Sequence, residues 1–421
     1  MSNLILKTFR SMLLPQQRNH QAGPNNQEHR NSVDLKGWFP GFGGFSKSGV
    51  RVNHQSALSL SAVFNAVDQI SNDIAKLPKG VYRREGDDRL RDRDHPADYL
   101  ISKRPSPLMS QFSFHKALIL AALLRGNGIA VQQYHPGTGR LEALNFVPPD
   151  DVYNIKKVKG SLFYVIKGYN RPLSLEEVIH IPGFSFNGIT GVSIFRYAAE
   201  NMGAAINAEL FANEIYKNKG FGYGVLETDK SVKPDVKKLL SDAFESRLSQ
   251  SGKHFRAPVL DEGFSYKNIA INPVEASLID WKKVSIEDVA RWFNIAPHKI
   301  KHLERATYSN IEQQSLEHGS DTIAPWAKKV EEECDYKLFS PQERATHYVK
   351  LNTNALHRTD LKARGEYYSR AVNFGWHNRN EIRQLEDYNK AEGLDEFLTP
   401  ANTLTPEQID NTLNDGKENG S

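Results

Sequence analysis

The sequence of 421 residues contains one cysteine, Cys334, so it can form neither an intramolecular disulfide nor a zinc site built from several cysteines. It also lacks an apolar run near the ~20 residues that cross a bilayer. The longest such run, Ala117 to Leu124, ends at Arg125. The segment Leu4 to Leu14 has no continuous hydrophobic stretch and no small-residue cleavage site. We therefore expect no secretion and no membrane partner.

An excess of one charge is also missing, because 54 Lys and Arg residues stand against 50 Asp and Glu residues, a net charge of +4. A protein that wraps DNA over its whole surface is strongly basic, so this balance argues against that class. The charge is nevertheless uneven along the chain, with a basic segment at residues 1–60 and an acidic tail at residues 391–421. This asymmetry predicts either contacts between neighbouring copies or two solvated tails.

Motifs for nucleotide hydrolysis and zinc catalysis are absent. The chain has no Gly-x-x-x-x-Gly-Lys-Ser/Thr loop and no His-Glu-x-x-His pair. The segment Gly183 to Gly188 resembles a hydrolase nucleophile elbow, but its second glycine is one place too late. A hydrolase using Ser185 and His180 would require these two side chains within hydrogen-bond reach. We expect His180 to be structural and the chain to have no enzyme activity and no cofactor.

Three consecutive glutamates, Glu331 to Glu333, fall on a predicted helix. Consecutive helical positions point in different directions, so these carboxylates cannot converge on one metal ion. The pattern predicts a solvated helix face and no metal site.

The first half of the chain alternates helical and strand patterns. Residues 1–58 are rich in Asn, Gln, Gly and Ser and predict an extended basic arm. A helix follows, capped by Ser59 or Ser61 and ended by Pro78. The mixture predicts an α+β domain. Its further predicted elements are strand Gly80–Arg83, helices His95–Ser102 and Ser113–Leu124, and strands Ile129–Tyr134, Leu141–Val147, Val152–Ile155, Leu162–Ile166 and Val178–Pro182.

The second half is dominated by helices around a small insert. A long helix is predicted over Val192–Asn218, with small residues that let another helix approach. Another starts at Asn272, which precedes Pro273 and can cap it, and runs to Phe293. The remaining predictions are strand Phe221–Leu226, helix Lys233 or Pro234 to Leu248, hairpin Ala257–Leu260 with Phe264–Ile271, polar loop His298–Asn310, helix Ile311–Leu338 kinked at Pro325, and polar helices Thr359–Gly375 and Arg379–Tyr388.

Several short segments, in this order, resemble the portal protein family of tailed double-stranded-DNA bacteriophages. Each is weakly specific alone, but together they cover roughly Ser59 to Asn389. The segments are Ala75-Lys76-Leu77-Pro78, His95-Pro96 to Arg104-Pro105-Ser106-Pro107, Arg125-Gly126-Asn127-Gly128, Phe146 to Val152, Val178 to Pro182 with Gly191-Val192-Ser193, Phe293 to Ile300, and Ser309 to Gln314.

The resemblance implies an α+β portal fold with an α+β wing, long stem helices, a small α/β clip insert and a helical crown. The chain departs from the family where members often carry Gly-Val-Pro-Pro in place of Asn294 to Pro297, and glycine in place of Lys301. The implied parts are the arm 1–58, wing 59–190, stem helix 191–219, clip 220–271, stem helix 272–297, tunnel loop 298–310, wing helix and return strand 311–358, crown 359–390 and acidic tail 391–421.

The resemblance further implies a ring of about twelve copies at one capsid vertex, through which DNA is packaged by terminase and later ejected. Twelve helices about 10 Å across, set around a circle, leave a bore of roughly 28 Å, which passes a duplex. The implied partners are terminase, the major capsid and scaffold proteins, head–tail connectors and double-stranded DNA bound without sequence specificity. The implied location is the virion, after assembly in the host cytoplasm. The alternative is a capsid or scaffold adaptor that never contacts DNA.

The predicted tunnel loop mixes basic, acidic and aromatic side chains. A strongly basic channel would grip the phosphates, so mixed contacts suit a duplex that must slide. Some of these residues could instead cap helices or pair between subunits, and the sequence leaves both roles open. The residues implied to face DNA are Lys299, Lys301, His302, Glu304, Arg305 and Tyr308.

Overall fold

The structure is a computed structural model that describes residues 32–34, 44–46, 49–86, 88–217, 224–229, 231–249, 264–268, 285–302, 308–357, 361–386 and 388–398. It divides into two compact units, Met1–Thr353 and Asn354–Ser421. Among the residues described, no helix is long and apolar enough to cross a membrane.

The large unit begins with short strands and helices. In chain order these are β1 (Ser32–Asp34), β2 (Gly44–Phe45), β3 (Arg51–Val52), α1 (His54–Leu58), α2 (Ser61–Ala75), β4 (Lys79–Glu85), β5 (Asp88–Arg91), α3 (Pro96–Ser102), α4 (Gln111–Arg125), β6 (Asn127–Tyr134), β7 (Leu141–Val147), β8 (Val152–Val158), β9 (Ser161–Ile166), β10 (Leu173–Ser174) and β11 (Val178–Pro182).

The rest of the chain is mainly helical. Its elements are α5 (Ala199–Lys217), β12 (Gly224–Thr228), α6 (Pro234–Ser249), β13 (Phe264–Asn268), the helix α7 (285–293), α8 (Tyr308–Glu317), the π-helical turn His318–Ile323, α9 (Ala324–Lys337) and β14 (His347–Leu351). The small unit contains α10 (Leu361–Asn373) and α11 (Arg379–Leu385).

The predicted extended arm is wrong at its C-terminal end. Residues 49–58 are folded, and Val52 and Ala57 are fully buried. Asn53 caps α1 by accepting hydrogen bonds from the backbone of Gln55 and Ser56. Because α1 ends at Ser59, the N-cap of α2 is Leu60, which has no side-chain capping bond, and not Ser59 or Ser61.

Three antiparallel sheets organise the large unit, in the orders β11-β6-β7, β1-β8-β9-β10 and β14-β4-β5. The predicted bounds of β7 and β11 are confirmed. The first two sheets share one apolar core, because side chains on one face of each strand pack together. The buried members of that core are Ile129, Val131, Val147, Ile155, Tyr164, Ile166, Leu173 and Val178.

The long helix predicted from Val192 begins later, at Ala199. Val192 is held in an extended bridge, where its backbone N–H donates to the carbonyl of Phe184 at 2.7 Å. The hydroxyl of Ser193 then donates to the carbonyl of Leu124 at 2.9 Å. These contacts fix the backbone outside helical geometry, and only a 3-10 turn precedes α5.

The insert contains a strand pair that differs from the predicted hairpin. β13 pairs antiparallel with β12, with Gly224 opposite Asn268 and Thr228 opposite Phe264. The predicted partner strand Ala257–Leu260 lies outside the described residues. Helix α6 starts at Pro234, one of the two predicted starts.

The helix predicted over Ile311–Leu338 is three segments. It starts earlier, at Tyr308, and a π-helical turn separates α8 from α9 just before Pro325. Proline has no N–H to donate and its ring clashes with the preceding turn, so an irregularity at this place is expected. The start of the helix predicted from Asn272 lies outside the described residues, and its predicted end at Phe293 is confirmed.

Helix α9 binds the backbone edges of two sheets with charged side chains. Glu331 and Asp335, one turn apart, accept the N–H groups of Leu351 and Val349 on β14, at 2.8 and 2.6 Å. On its other side, Glu333 accepts the N–H of His180 on β11 at 2.9 Å. Each carboxylate thereby satisfies a backbone donor that no strand pairs.

Two lysines of α9 also bond to the backbone at either end of β11. Lys329 donates to the carbonyls of Pro182 and Gly183 at 3.1 and 3.0 Å, and Lys337 donates to the carbonyl of Leu175. Burial lowers the pKa of both lysines, and it raises the pKa of Glu333. The predicted solvated glutamate face is therefore wrong for Glu331 and Glu333, and only Glu332 is solvated.

The small unit is held by side-chain to backbone bonds. Asn378 caps α11 in a reciprocal pair with Glu381. Asn380 exchanges two hydrogen bonds with the backbone of Ala391, at 2.8 and 2.9 Å. These bonds fix the chain that follows α11 against the start of that helix.

The three consecutive glutamates give a matched test of the helix–edge bonds. Glu331→Ala should lower the free energy of unfolding by about 2–3 kcal/mol, because it leaves a buried N–H without an acceptor. Glu332→Ala should change it by less than about 0.5 kcal/mol, because an exposed ion pair contributes little. Urea denaturation followed by circular dichroism measures both, and equal losses would contradict the assignment.

Candidate functional site

The candidate site is the connection between α7 and α9, which contains the predicted tunnel loop. Its first part, Pro297–Ile300, is a 3-10 turn and not the open loop that the sequence predicted. The turn closes with two backbone bonds, from Lys301 to the carbonyl of His298 and from His302 to the carbonyl of Pro297, both 3.1 Å. This is the Schellman arrangement, in which the closing residue is left-handed. Lys301 takes that position, with φ +64°.

His298 anchors the turn to helix α8. Its Nδ1 donates to Oε1 of Gln314 at 3.0 Å, and the hydroxyl of Ser315 donates to its Nε2 at 3.2 Å. Burial lowers the pKa of His298, and the neighbouring Lys299 and Lys301 lower it further. Both effects favour the neutral imidazole, whose Nε2 can accept the hydroxyl of Ser315.

Asn294 ties the end of α7 to the π-helical turn. Its backbone has φ +49°. Its side-chain amide donates to the carbonyl of Asp321 at 3.0 Å, and its own carbonyl accepts from the hydroxyl of Thr322. The two ends of the connection are thus joined to each other directly, which fixes where the intervening residues leave and return.

A buried hydrogen-bonded pair holds the π-helical turn against α2. Nε2 of His318 lies 2.8 Å from Oδ2 of Asp73, and both side chains are 2% exposed. Burial would raise the pKa of Asp73, but hydrogen bonds from His318, Lys76 and Gln69 outweigh it and lower the pKa to about 2. π-helical turns are often found at functional sites. Nothing in the local sequence pattern predicts this pair, because its members are 245 residues apart.

The structure places only part of the predicted DNA-facing set. Lys301 is exposed, and Lys299 and His302 are half-buried. Glu304 and Arg305 lie outside the described residues. Tyr308 is the first residue of helix α8 and not part of the loop. Of the predicted residues, the structure therefore describes Lys299 within the turn that His298 anchors, and Lys301 and His302 where that turn closes.

The rejected hydrolase pair is not assembled. The hydroxyl of Ser185 donates to Oδ1 of Asn187 and the carbonyl of Thr190, at 3.1 and 2.7 Å. His180 is buried and bonds to the hydroxyl of Tyr164 and to Oδ1 of Asn127, at 3.0 and 2.8 Å. Burial lowers the pKa of His180 to about 3. In the described part of the chain, no group of three or more His, Cys, Asp or Glu residues could hold a metal ion.

Comparison with known proteins identifies the family. The family model described as phage portal protein matches residues 61–387. This chain belongs to the phage portal protein family. It is 25% identical to the probable portal protein of Streptomyces phage phiC31 over 376 residues, covering 84% of this chain and 81% of the relative. It is 23% identical to the portal protein of Enterobacteria phage HK97 over 359 residues, covering 83% and 84%.

Solved structures show the same α+β portal fold. A HK97-family phage portal protein from Corynebacterium diphtheriae matches with a TM-score of 0.54 and 17% identity, covering 76% of this chain and 99% of that one. A chain from the neck of a native gene transfer agent particle, computed with C12 symmetry, matches with a TM-score of 0.51 and 18% identity, covering 80% and 94%.

The two departures from the family pattern now have a backbone explanation. Asn294 and Lys301 stand where family members often carry glycine, and both have positive φ here. Glycine adopts this conformation without steric cost, and asparagine tolerates it better than other residues. Asn294 and Lys301 therefore take a backbone conformation that glycine would adopt more easily.

Relief of the left-handed strain can be measured directly. Lys301→Gly should raise the free energy of unfolding by about 0.5–1 kcal/mol, because the left-handed penalty exceeds the added freedom of the unfolded chain. Lys299→Gly removes the same charge at an ordinary turn position and should lower it by a similar amount. Urea midpoints compare the two, and a loss in both variants would contradict the strain at position 301.

The buried pair predicts acid sensitivity. Because the folded pKa of Asp73 is about 2 and lies below its unfolded value, its contribution to stability is complete above about pH 4. It is lost as pH falls towards 2. In Asp73→Asn this part of the pH dependence should disappear, so the stability difference between the proteins should shrink below pH 4. Urea titrations from pH 7 to pH 3 test this, and a constant difference would contradict it.

Proposed function

We propose that this chain forms a ring of about twelve copies at one vertex of a phage capsid, as the channel through which DNA is packaged and ejected. The observation that carries the proposal is the family match over residues 61–387. The gene transfer agent neck, which has this fold and C12 symmetry, supports the ring. Heterologous contacts between identical subunits close into such a ring when the rotation between neighbours closes.

Within the ring, the α+β part 59–190 would be the wing, and the helices around α5 and α7 the stem. The insert with β12, β13 and α6 would be the clip that meets terminase and then head–tail connectors. The small unit would contribute the crown. The particle would assemble in the host cytoplasm with capsid and scaffold proteins, and the ring would remain in the virion.

The connection between α7 and α8 would be the tunnel loop that faces DNA. Two features support this placement. Its base is fixed by His298 and Asn294, so side chains on the loop are presented from a rigid support. The exposed Lys301 lies at its described edge and offers a phosphate contact without a base-reading motif. A few mixed charges per subunit hold the duplex weakly, which lets it slide.

Charge reversal tests the DNA-facing assignment. Lys301→Glu with Arg305→Glu should leave ring assembly intact and reduce the length of DNA packaged or retained, because the loop would repel the phosphates. The control Lys103→Glu with Arg140→Glu reverses one exposed lysine and one exposed arginine outside the loop. In vitro packaging with terminase and DNA-length analysis measures both. Normal packaged length in the loop variant would overturn the assignment.

A further inference from the structure

The outward face of the sheet β14-β4-β5 carries cations and tyrosines that the proposed channel does not use. Directly opposite residues in an antiparallel pair lie on the same face. The register places Tyr82 between Tyr348 and Arg91, and Arg84 opposite Arg89. The other face holds the buried Val81, Val349 and Leu351. The outward face therefore consists of Tyr82, Arg84, Arg89, Arg91, Tyr348 and Lys350.

Two arginines on this face have no compensating charge among the residues that the structure describes. Arg91 pairs with Asp98 at 3.3 Å, and Lys350 pairs with Glu331 at 3.1 Å. Arg84 and Arg89 are exposed, and within the described residues neither forms an ion pair. The guanidinium of Arg84 lies 5.1 Å from the ring centre of Tyr348. That stacking holds Arg84 flat along the sheet without neutralising it.

The arrangement costs stability within the chain. Arg84 and Arg89 face each other directly across the two strands, and like charges in this position destabilise a sheet. The carboxylates of the hairpin, Glu85 and Asp88, lie on the opposite face, where Glu85 pairs with Arg83. Residues that are unfavourable for folding are expected at functional sites. The facing pair of Arg84 and Arg89 therefore indicates a binding surface.

We propose that this face, defined by Arg84 and Arg89 with Tyr82 and Tyr348, binds the phosphate backbone of double-stranded DNA. It is a second DNA contact, on a different element from the tunnel loop. Arginine forks match phosphate geometry in two hydrogen bonds, and tyrosine hydroxyls also donate to phosphates. Contacts to phosphates carry no sequence information, so this face would bind a duplex of any sequence.

Charge density favours DNA over the chain's own acidic tail as the occupant. The four residues of β5 span roughly 13 Å, over which a duplex presents about eight charges at one per ~1.7 Å. The acidic tail has seven acidic residues among residues 391–421. At ~3.3 Å per residue an extended chain of that length reaches roughly 100 Å, so it presents about one acidic charge per 14 Å. The duplex is therefore the stronger partner for two adjacent arginines.

Adjacent arginines on opposite faces provide the test. The full chain carrying Arg84→Gln and Arg89→Gln should bind a random-sequence duplex several-fold more weakly at 50 mM NaCl. The slope of log affinity against log salt should become shallower by about 0.9 for each lost phosphate contact. The single variant Arg84→Gln is compared with the control Arg83→Gln, which removes one positive charge from the other face and should leave the slope unchanged. Fluorescence anisotropy between 50 and 200 mM NaCl measures each.

A second set of binding measurements separates this site from the proposed tunnel loop. Each measurement is repeated in a chain that also carries Lys301→Glu and Arg305→Glu. The changes at Arg84 and Arg89 should weaken duplex binding there too, whether or not packaging is altered. Thermal melting should show no loss of stability in Arg84→Gln. Equal slopes for Arg84→Gln and Arg83→Gln would overturn the proposal. So would an unchanged duplex affinity combined with Arg84-dependent binding of a synthetic peptide of residues 399–421, which would assign the face to the tail.

Discussion

The outer backbone groups of two edge strands have no neighbouring strand to bond with, and charged side chains of helix α9 take its place. β11 and β14 each end a sheet, so their outer N–H and carbonyl groups need partners. Four residues of an α-helix rise about 6 Å, close to the roughly 6.6 Å of two strand residues. Side chains four apart on α9 can therefore meet backbone groups two apart on a strand, as Asp335 and Glu331 do with Val349 and Leu351.

This helix also follows the candidate site along the chain. α8, the π-helical turn and α9 follow each other without interruption, so the segment after the proposed tunnel loop continues into the helix that contacts the edges of two sheets. The buried pair of Asp73 and His318 fixes the middle of that run to α2, and Asn294 fixes it to the end of α7. The base of the loop is therefore positioned by the core and not by the loop itself. Such support is what a loop in contact with a moving duplex requires.

Local pattern predicted the elements whose partners are close in sequence or whose core face is regular. α2, β7 and β11 are examples, because periodicity and turn residues are both local. It failed where distant contacts decide, as for Glu331 and Glu333, whose acceptor roles depend on strands that the pattern cannot place beside α9. The late start of α5 has the same cause, because the hydroxyl of Ser193 donates to the distant carbonyl of Leu124. At the candidate site, the glycines that the resemblance implied in place of Asn294 and Lys301 were the available signal, and both residues have positive φ here.

The chain has 54 basic and 50 acidic residues, so its net charge alone does not indicate DNA binding. The positions of the charges are more informative, because exposed cations lie on the sheet β14-β4-β5 and at the proposed tunnel loop. The central claim is that copies of this chain close into a ring that passes a duplex. Cryo-electron microscopy of the purified full-length protein, with subunits counted in each particle, tests it most directly. The account predicts closed rings of about twelve subunits with a bore of roughly 28 Å. A monomer at every concentration, or rings too narrow for a duplex, would contradict it.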